Sequence, residues 1–160
     1  MGAQKMRLST KGRYAVMAMV DLARHGADGP VALADIALRQ EISLPYLEQL
    51  FAKLRRGGLV RSVRGPGGGY LMARPCGTVR ISDIIFAVDE PIQATRCEKH
   101  SPLGCHSDKS RCLTHDLWEE LGNQIHMYLS SVTVEDVVNR RVLGSSHLFS
   151  AGQGATVAAE

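Results

Sequence analysis

No stretch of this chain is apolar for long enough to cross a bilayer. The longest, "AVMAMVDLA" at 15–23, falls far short of the roughly 20 residues a spanning helix needs, and it carries Asp21. No charged-then-apolar segment ending in small residues opens the chain, and Met6 stands where a myristoylation signal after Gly2 requires serine or threonine. These absences predict a cytoplasmic protein with no membrane partner. No fixed-period repeat is visible, and no nucleophile comes with a base and an orienting group, which argues against an enzyme. The run "GPGGG" at 65–69 lacks the Lys-Ser/Thr ending of a phosphate-binding P-loop and no helical pattern follows it. Cysteines number only four. In a reducing compartment disulfides are rare, so clustered thiols read as metal ligands or redox groups rather than cross-links.

Charge is present but unevenly placed. The net charge of +3 divides into twelve Lys plus Arg against five Asp plus Glu in residues 1–75, and seven against eleven in residues 76–160. The first half therefore suits a polyanion and the second does not.

Hydrophobic periodicity supplies the elements. Thr10 to His25 fits a largely buried helix with Thr10 as N-cap and Gly26 as stop. "LADIALRQ" (33–40) is a short amphipathic helix that "EIS" breaks. Residues 43–58 form a third helix, with Ser43 as cap, Pro45 tolerated in the first turn, and Leu47, Leu50, Phe51 and Leu54 as the inward stripe. Residues 59–74 alternate apolar and polar side chains around a Gly-Pro tip, a strand-turn-strand pattern. Three helices and a hairpin in this order predict a winged helix-turn-helix, mainly α with a small β-hairpin, in which the third helix enters a DNA major groove. A short helix over 80–91, capped by Ser82, closes this unit. A long helix from Thr114 to Ser131 aligns Leu117, Trp118, Leu121, Ile125, Tyr128 and Leu129 on one face, which asks for a second copy to cover it. Residues 134–141 read as one more short helix. The chain thus divides into a DNA-binding domain (6–90), a ligand loop (91–113), a dimerisation helix with a C-terminal helix (114–143) and a flexible tail (144–160).

On the third helix the outward positions are Tyr46, Glu48, Gln49 and Lys53, followed by Arg55 and Arg56. Glutamine pairs with adenine, glutamate accepts from the cytosine amino group, and lysine or arginine satisfies guanine or phosphate. In the wing, Arg61 and Arg64 flank the tip. An arginine there suits a narrow minor groove, and glycines such as Gly65 and Gly67 let the tip approach the sugar-phosphate backbone.

The segment "CEKHSPLGCHSDKSRCLTH" (97–115) carries three cysteines and three histidines. Cys97, Cys105, Cys112 and His115 stand at gaps of seven, six and two residues. These soft donors favour zinc or an iron-sulfur cluster. Structural zinc sites favour tight pairs, whereas wide gaps suit a loop wrapped around a 2Fe-2S unit with its two separated irons. Zinc, and thiols with no metal at all, stay open on spacing alone. Cys76 lies outside the triad and reads as a plain thiol.

Taken together, "MRLSTKGRYAVMAMVDLA", "ISLPYLEQLFAKLRRGGLVRSVRGPGGGYLM" and "ATRC…C…CLTHDLWEEL" closely resemble the iron-sulfur cluster regulators of the Rrf-type winged-helix transcription factor family of bacteria, from Met6 to about Gly144. The resemblance implies a homodimer on a pseudo-palindromic duplex operator and a 2Fe-2S cluster held by Cys97, Cys105, Cys112 and His115. It also implies repression of cluster-assembly genes, with cluster donor proteins as partners. In that family the counterpart of Glu48 helps choose between site classes and that of Gln49 contacts bases. Two features depart from the pattern: Pro45 stands where the family often has a DNA-contacting serine, and the ligand loop is longer. Iron-responsive and nitric-oxide-sensing repressors share the fold and three cysteines, and "CLTH" separates this chain from them. A ferredoxin-like electron carrier is the alternative from another class, and the basic half argues against it.

Overall fold

The computed structural model describes residues 9–90, 105, 106, 108 and 110–142, so Cys97, most of the expected ligand loop and the expected tail lie outside the described residues. The first helix, α1 (Thr10–His25), begins one residue earlier than the side-chain pattern suggests, because Ser9 rather than Thr10 is its cap. The Ser9 hydroxyl accepts the Lys11 backbone N–H at 3.2 Å. A second brace comes from far along the chain: the Glu90 carboxylate accepts the Ser9 N–H. Its other oxygen, Oε2, is buried with no hydrogen-bond partner. That oxygen lies against Gly12, where any Cβ would collide with it. A negative charge belongs at this end of a helix, where the unpaired N–H groups concentrate positive potential. Gly26 closes α1 by donating its N–H to the Leu22 carbonyl at 2.8 Å.

Helix α2 (Leu33–Gln40) ends at Glu41, whose left-handed backbone (φ 54°) turns the chain sharply towards α3 (Leu44–Arg56). Pro45 sits in the first turn of α3, where its missing N–H costs nothing, and Ser43 occupies the cap position without making a side-chain cap bond. Leu47, Leu50, Phe51 and Leu54 are buried, the i, i+3, i+4, i+7 stripe expected of a helix laid on a core.

The hairpin pairs β1 (Val60–Val63) with β2 (Gly69–Met72) in antiparallel register, from Val60↔Met72 to Val63↔Gly69. Val31 adds a one-residue third strand by exchanging two backbone hydrogen bonds with Tyr70, at 2.9 and 2.8 Å. Gly69 permits this approach, because a side chain there would land on the Val31 carbonyl. A short 3-10 turn (Cys76–Thr78) leads to α4 (Ile81–Ala87). Ser82, expected as its cap, is instead buried within the helix. Asp83 does the capping, its carboxylate accepting the Arg80 N–H at 3.0 Å. The reason is tertiary: Arg80 bridges to Thr133, which fixes extended backbone there and starts the helix at Ile81.

Helix α5 (His115–Ser131) then runs to Val132, and the chain returns to the core. Ile81 donates to the Val132 carbonyl at 3.0 Å and Val134 donates to that of Val79 at 2.9 Å. Helix α6 (Val134–Val138) starts in a reciprocal cap in which Asp136 accepts from the Thr133 N–H and returns its own N–H to the Thr133 hydroxyl, both at 3.0 Å. Val132 and Val134 thus join Ala15, Ala18, Leu22, Val79 and Ile84 in one core. The N-terminal unit and the C-terminal helix share this interior.

One charge is buried on purpose. The Asp21 side chain, 1 % exposed, accepts from Arg39 Nε and Nη2 and, at 2.7 Å, from Gln40 Nε2. Burial pushes its carboxyl upward, but the hydrogen bonds from Arg39 and Gln40 outweigh that and hold it below the ordinary 3.8. This network ties the middle of α1 to the end of α2.

Candidate nucleic-acid interface and metal centre

The fold presents two chemically distinct surfaces. On α3, Glu48 and Gln49 are exposed, as are Arg55 and Arg56 in its last turn, while the opposite face is bound into the core. Gln49, Lys53 and Arg56 stand at i, i+4 and i+7 and therefore share one stripe. Tyr46 departs from the expected outward position: its half-buried ring packs edge-on against Tyr14, centroids 6.1 Å apart. Lys53 is not a bare cation either. Its Nζ lies 2.7 Å from Asp89 Oδ2, and that hydrogen bond holds the ammonium above its ordinary range and the Asp89 carboxyl below its own. Arg61 and Arg64 of the wing are exposed. Beyond Arg64 the tip turns at Gly65 (φ 101°) and Gly67 (φ 71°), both left-handed conformations with open space around them, which glycine adopts without strain. Helix end, wing and the start of α1 supply the basic character that charge counting assigned to the first half.

The second surface lies at the start of α5. His115 is buried, and its Nδ1 stands 3.2 Å from Cys105 Sγ, so two of the four expected donors meet although ten residues separate them. Cys112 lies one turn before: His115 donates its N–H to the Cys112 carbonyl at 3.0 Å, and Cys112 Sγ is 3.6 Å from the Thr114 hydroxyl. Thr114 holds the cap position of α5 without a side-chain cap bond. Cys97 is outside the described residues. Sequence reasoning overlooked the carboxylates here: His115 Nε2 faces Glu119 Oε2 at 3.8 Å, and donor atoms of His115, Asp116 and Glu119 lie within 4.8 Å of one another. The signal was available, since Glu119 stands four residues after His115 on a helix. Cys76 is a half-buried thiol in the turn after the wing, apart from this group.

Along α5, Leu129 packs against the chain's own core and Leu121 and Ile125 are half-buried, but Leu117 and Met127 remain 62 % and 63 % exposed, with Trp118 and Tyr128 also open. No helix among the described residues is long and apolar enough to cross a membrane.

Residues 8–140 match the Rrf2 family, described as iron-dependent transcriptional regulators. A relative from Photorhabdus laumondii, the HTH-type transcriptional regulator IscR, is 54 % identical over 136 residues, covering 85 % of this chain and 81 % of its own. The chain belongs to the Rrf2 family. Within it, the IscR of T. potens superposes with a TM-score of 0.68 at 39 % identity, over 88 % of this chain and 91 % of that one. CymR, the global cysteine regulator of B. subtilis, gives 0.69 at 32 %, over 84 % and 97 %. The protein is accordingly a DNA-binding transcriptional regulator with the winged-helix fold expected from sequence, and not an enzyme. Two Rrf2 members named for different regulatory roles share this backbone equally well, so the fold does not choose the signal.

Proposed function

We propose that the protein is a homodimeric sensor of iron-sulfur status that binds a pseudo-palindromic duplex operator and mainly represses cluster-biogenesis genes in the cytoplasm. The observation that carries this reading is the approach of Cys105 Sγ to His115 Nδ1 at the first turn of α5. The donor set fits a 2Fe-2S cluster: Cys97, Cys105 and Cys112 are soft thiols, and the buried His115 imidazole is a borderline donor. When bound, the cluster would supply a redox- and iron-responsive cross-link between the ligand segment and α5. His115 is the residue that transmits occupancy, because it is an integral part of the helix while the cysteines precede it. Every donor must shed its proton to ligate, so acid competes with iron across the set, and a neutral imidazole holds iron less tightly than an anionic thiolate, which makes the cluster easier to lose. Easy loss is a fault in an electron carrier and an asset in a sensor.

The exposed apolar stripe of α5 supports dimerisation, since two copies crossing there would cover Leu117, Trp118, Met127 and Tyr128 and place two reading helices about a two-fold axis. On each, Gln49 and Glu48 would read bases, Arg64 the minor groove, and Lys53, Arg55, Arg56 and Arg61 the phosphates, with Gly65 and Gly67 allowing close approach. Cluster donor proteins are the remaining partners in this reading. Protein prepared without oxygen should be coloured and contain about two irons and two acid-labile sulfides per chain, one cluster for each ligand set. A colourless product carrying one zinc would refute the sensory assignment.

A further inference from the structure

Asp89 is an anomaly in a basic neighbourhood. It follows α4 in a left-handed conformation (φ 55°), with its N–H donated to the Phe86 carbonyl at 3.0 Å. The next residue, Glu90, is fixed at both ends: its N–H reaches the Ile85 carbonyl at 3.3 Å and its carboxylate is buried on the N-terminus of α1. The Asp89 backbone is therefore fixed, which sets the reach of its largely exposed carboxylate. That carboxylate points at Lys53 Nζ, 2.7 Å away, while Lys11 Nζ reaches the Asp89 carbonyl at 3.3 Å. After Lys53, the charges of Lys11 and Arg56 also draw the carboxyl below its ordinary range. Lys53 thus pairs with the Asp89 carboxylate and Lys11 with its carbonyl, while Arg56 follows Lys53 one turn on along the stripe of α3 that also carries Gln49.

We propose that Lys11, Lys53 and Arg56 form a binding site for a DNA backbone phosphodiester, and that the Asp89 carboxylate fills it in the free protein as an internal competitor. This rests on the reading of α3 as the DNA-facing helix. A phosphate entering the site must displace the carboxylate from Lys53, so part of its electrostatic gain goes into breaking an existing pair. The position of the competitor gives it a regulatory aspect. Glu90 is followed directly by the segment that leads to Cys97, so the carboxylate that occupies the phosphate site sits at the root of the ligand loop.

The test uses the full chain and a fluorescent duplex of scrambled sequence, because phosphate contacts do not depend on base order. Asp89→Asn keeps the size of the side chain and tolerates the left-handed backbone. It should tighten binding roughly three- to tenfold at low salt and steepen the logarithmic salt dependence by about one. Asp28→Asn makes the same charge change in the turn before Val31 and should do neither. In a Lys53→Ala background, Asp89→Asn should lose most of its effect. Unchanged or weaker binding by Asp89→Asn, an equal gain from Asp28→Asn, or a gain that persists without Lys53 would each overturn the proposal. If neither the parent protein nor the variant binds the duplex in a salt-dependent way, the DNA-facing assignment of α3 fails as well, whereas salt-dependent binding by a parent that Asp89→Asn does not improve defeats only the competitor.

Discussion

His115 has two faces that differ in chemistry: Nδ1 meets the Cys105 sulfur, and Nε2 looks towards Glu119. One ring nitrogen can therefore serve a metal while the other is steadied by a carboxylate, the arrangement that commonly fixes the tautomer of a metal-bound histidine. His115→Ala should shorten cluster lifetime in air, followed by loss of visible absorbance, while leaving cluster-independent DNA binding intact. Equal loss of binding at every site would make the residue structural. On α3 the division of labour is between reading and holding. Gln49→Ala should flatten discrimination among operator sequences, and Arg64→Ala should weaken all sequences by a similar factor; a mismatch at one base pair is typically worth about 1–3 kcal/mol, which sets the scale of the Gln49 effect. Competition binding against operator variants measures both. A candidate ligand set and candidate reading positions could be named from the sequence, because cysteine spacing and polar positions on a helix are local features. Tyr46 was misjudged because a helical wheel has no way to show that Tyr14 lies across from it. The Lys53–Asp89 pair was invisible for the same reason, its members standing 36 positions apart.

At the scale of elements, helix limits were legible where the signal lay in the element itself. α2 and the buried stripe of α3 follow directly from their periodicity, and Gly26 and Glu41 stop their helices for backbone reasons. The starts were less legible, because long-range partners set them: Glu90 braces the start of α1, and the Arg80–Thr133 bridge moves the start of α4 ahead of Ser82. The joint between α1 and α2 depends on Asp21, an acid whose burial no charge count reveals. Arg39→Met, which removes most of that carboxylate's hydrogen bonds, should destabilise the fold by about 2 kcal/mol, below the range for fully buried pairs because Arg39 is one-third exposed. The folded-state value of Asp21 lies beneath its unfolded one. Its contribution is therefore complete above the unfolded value of 3.8 and disappears as pH falls through the folded value. Chemical denaturation across the acid range should show a shallower loss of stability for Asp21→Asn than for the parent protein.

For the whole molecule, the division of charge and the open stripe on α5 point in complementary directions, one towards a polyanion and the other towards a second copy. Leu117→Glu places a charge at the N-terminal end of that stripe, at a side chain now 62 % exposed, so it should leave the folded chain intact and shift it from dimer to monomer. Sedimentation at several concentrations would show this, and operator affinity should fall with the loss of the paired reading helices. A monomeric parent protein would remove the premise. Fold class was readable from sequence because three helices and a hairpin in fixed order leave few alternatives. The closing of the core was not, since it depends on valines more than forty residues beyond the unit they complete.

That closure has a consequence for how such regulators diversify. At Val132 the backbone joins the winged-helix body, where Val79 and Ile81 receive it. Helix α5 leans on the same body through Leu129, and cutting the gene after Glu90 would release a body with a gap in its interior. New sensing chemistry can therefore be exchanged at the start of α5 only while the valines that seal the core stay in place.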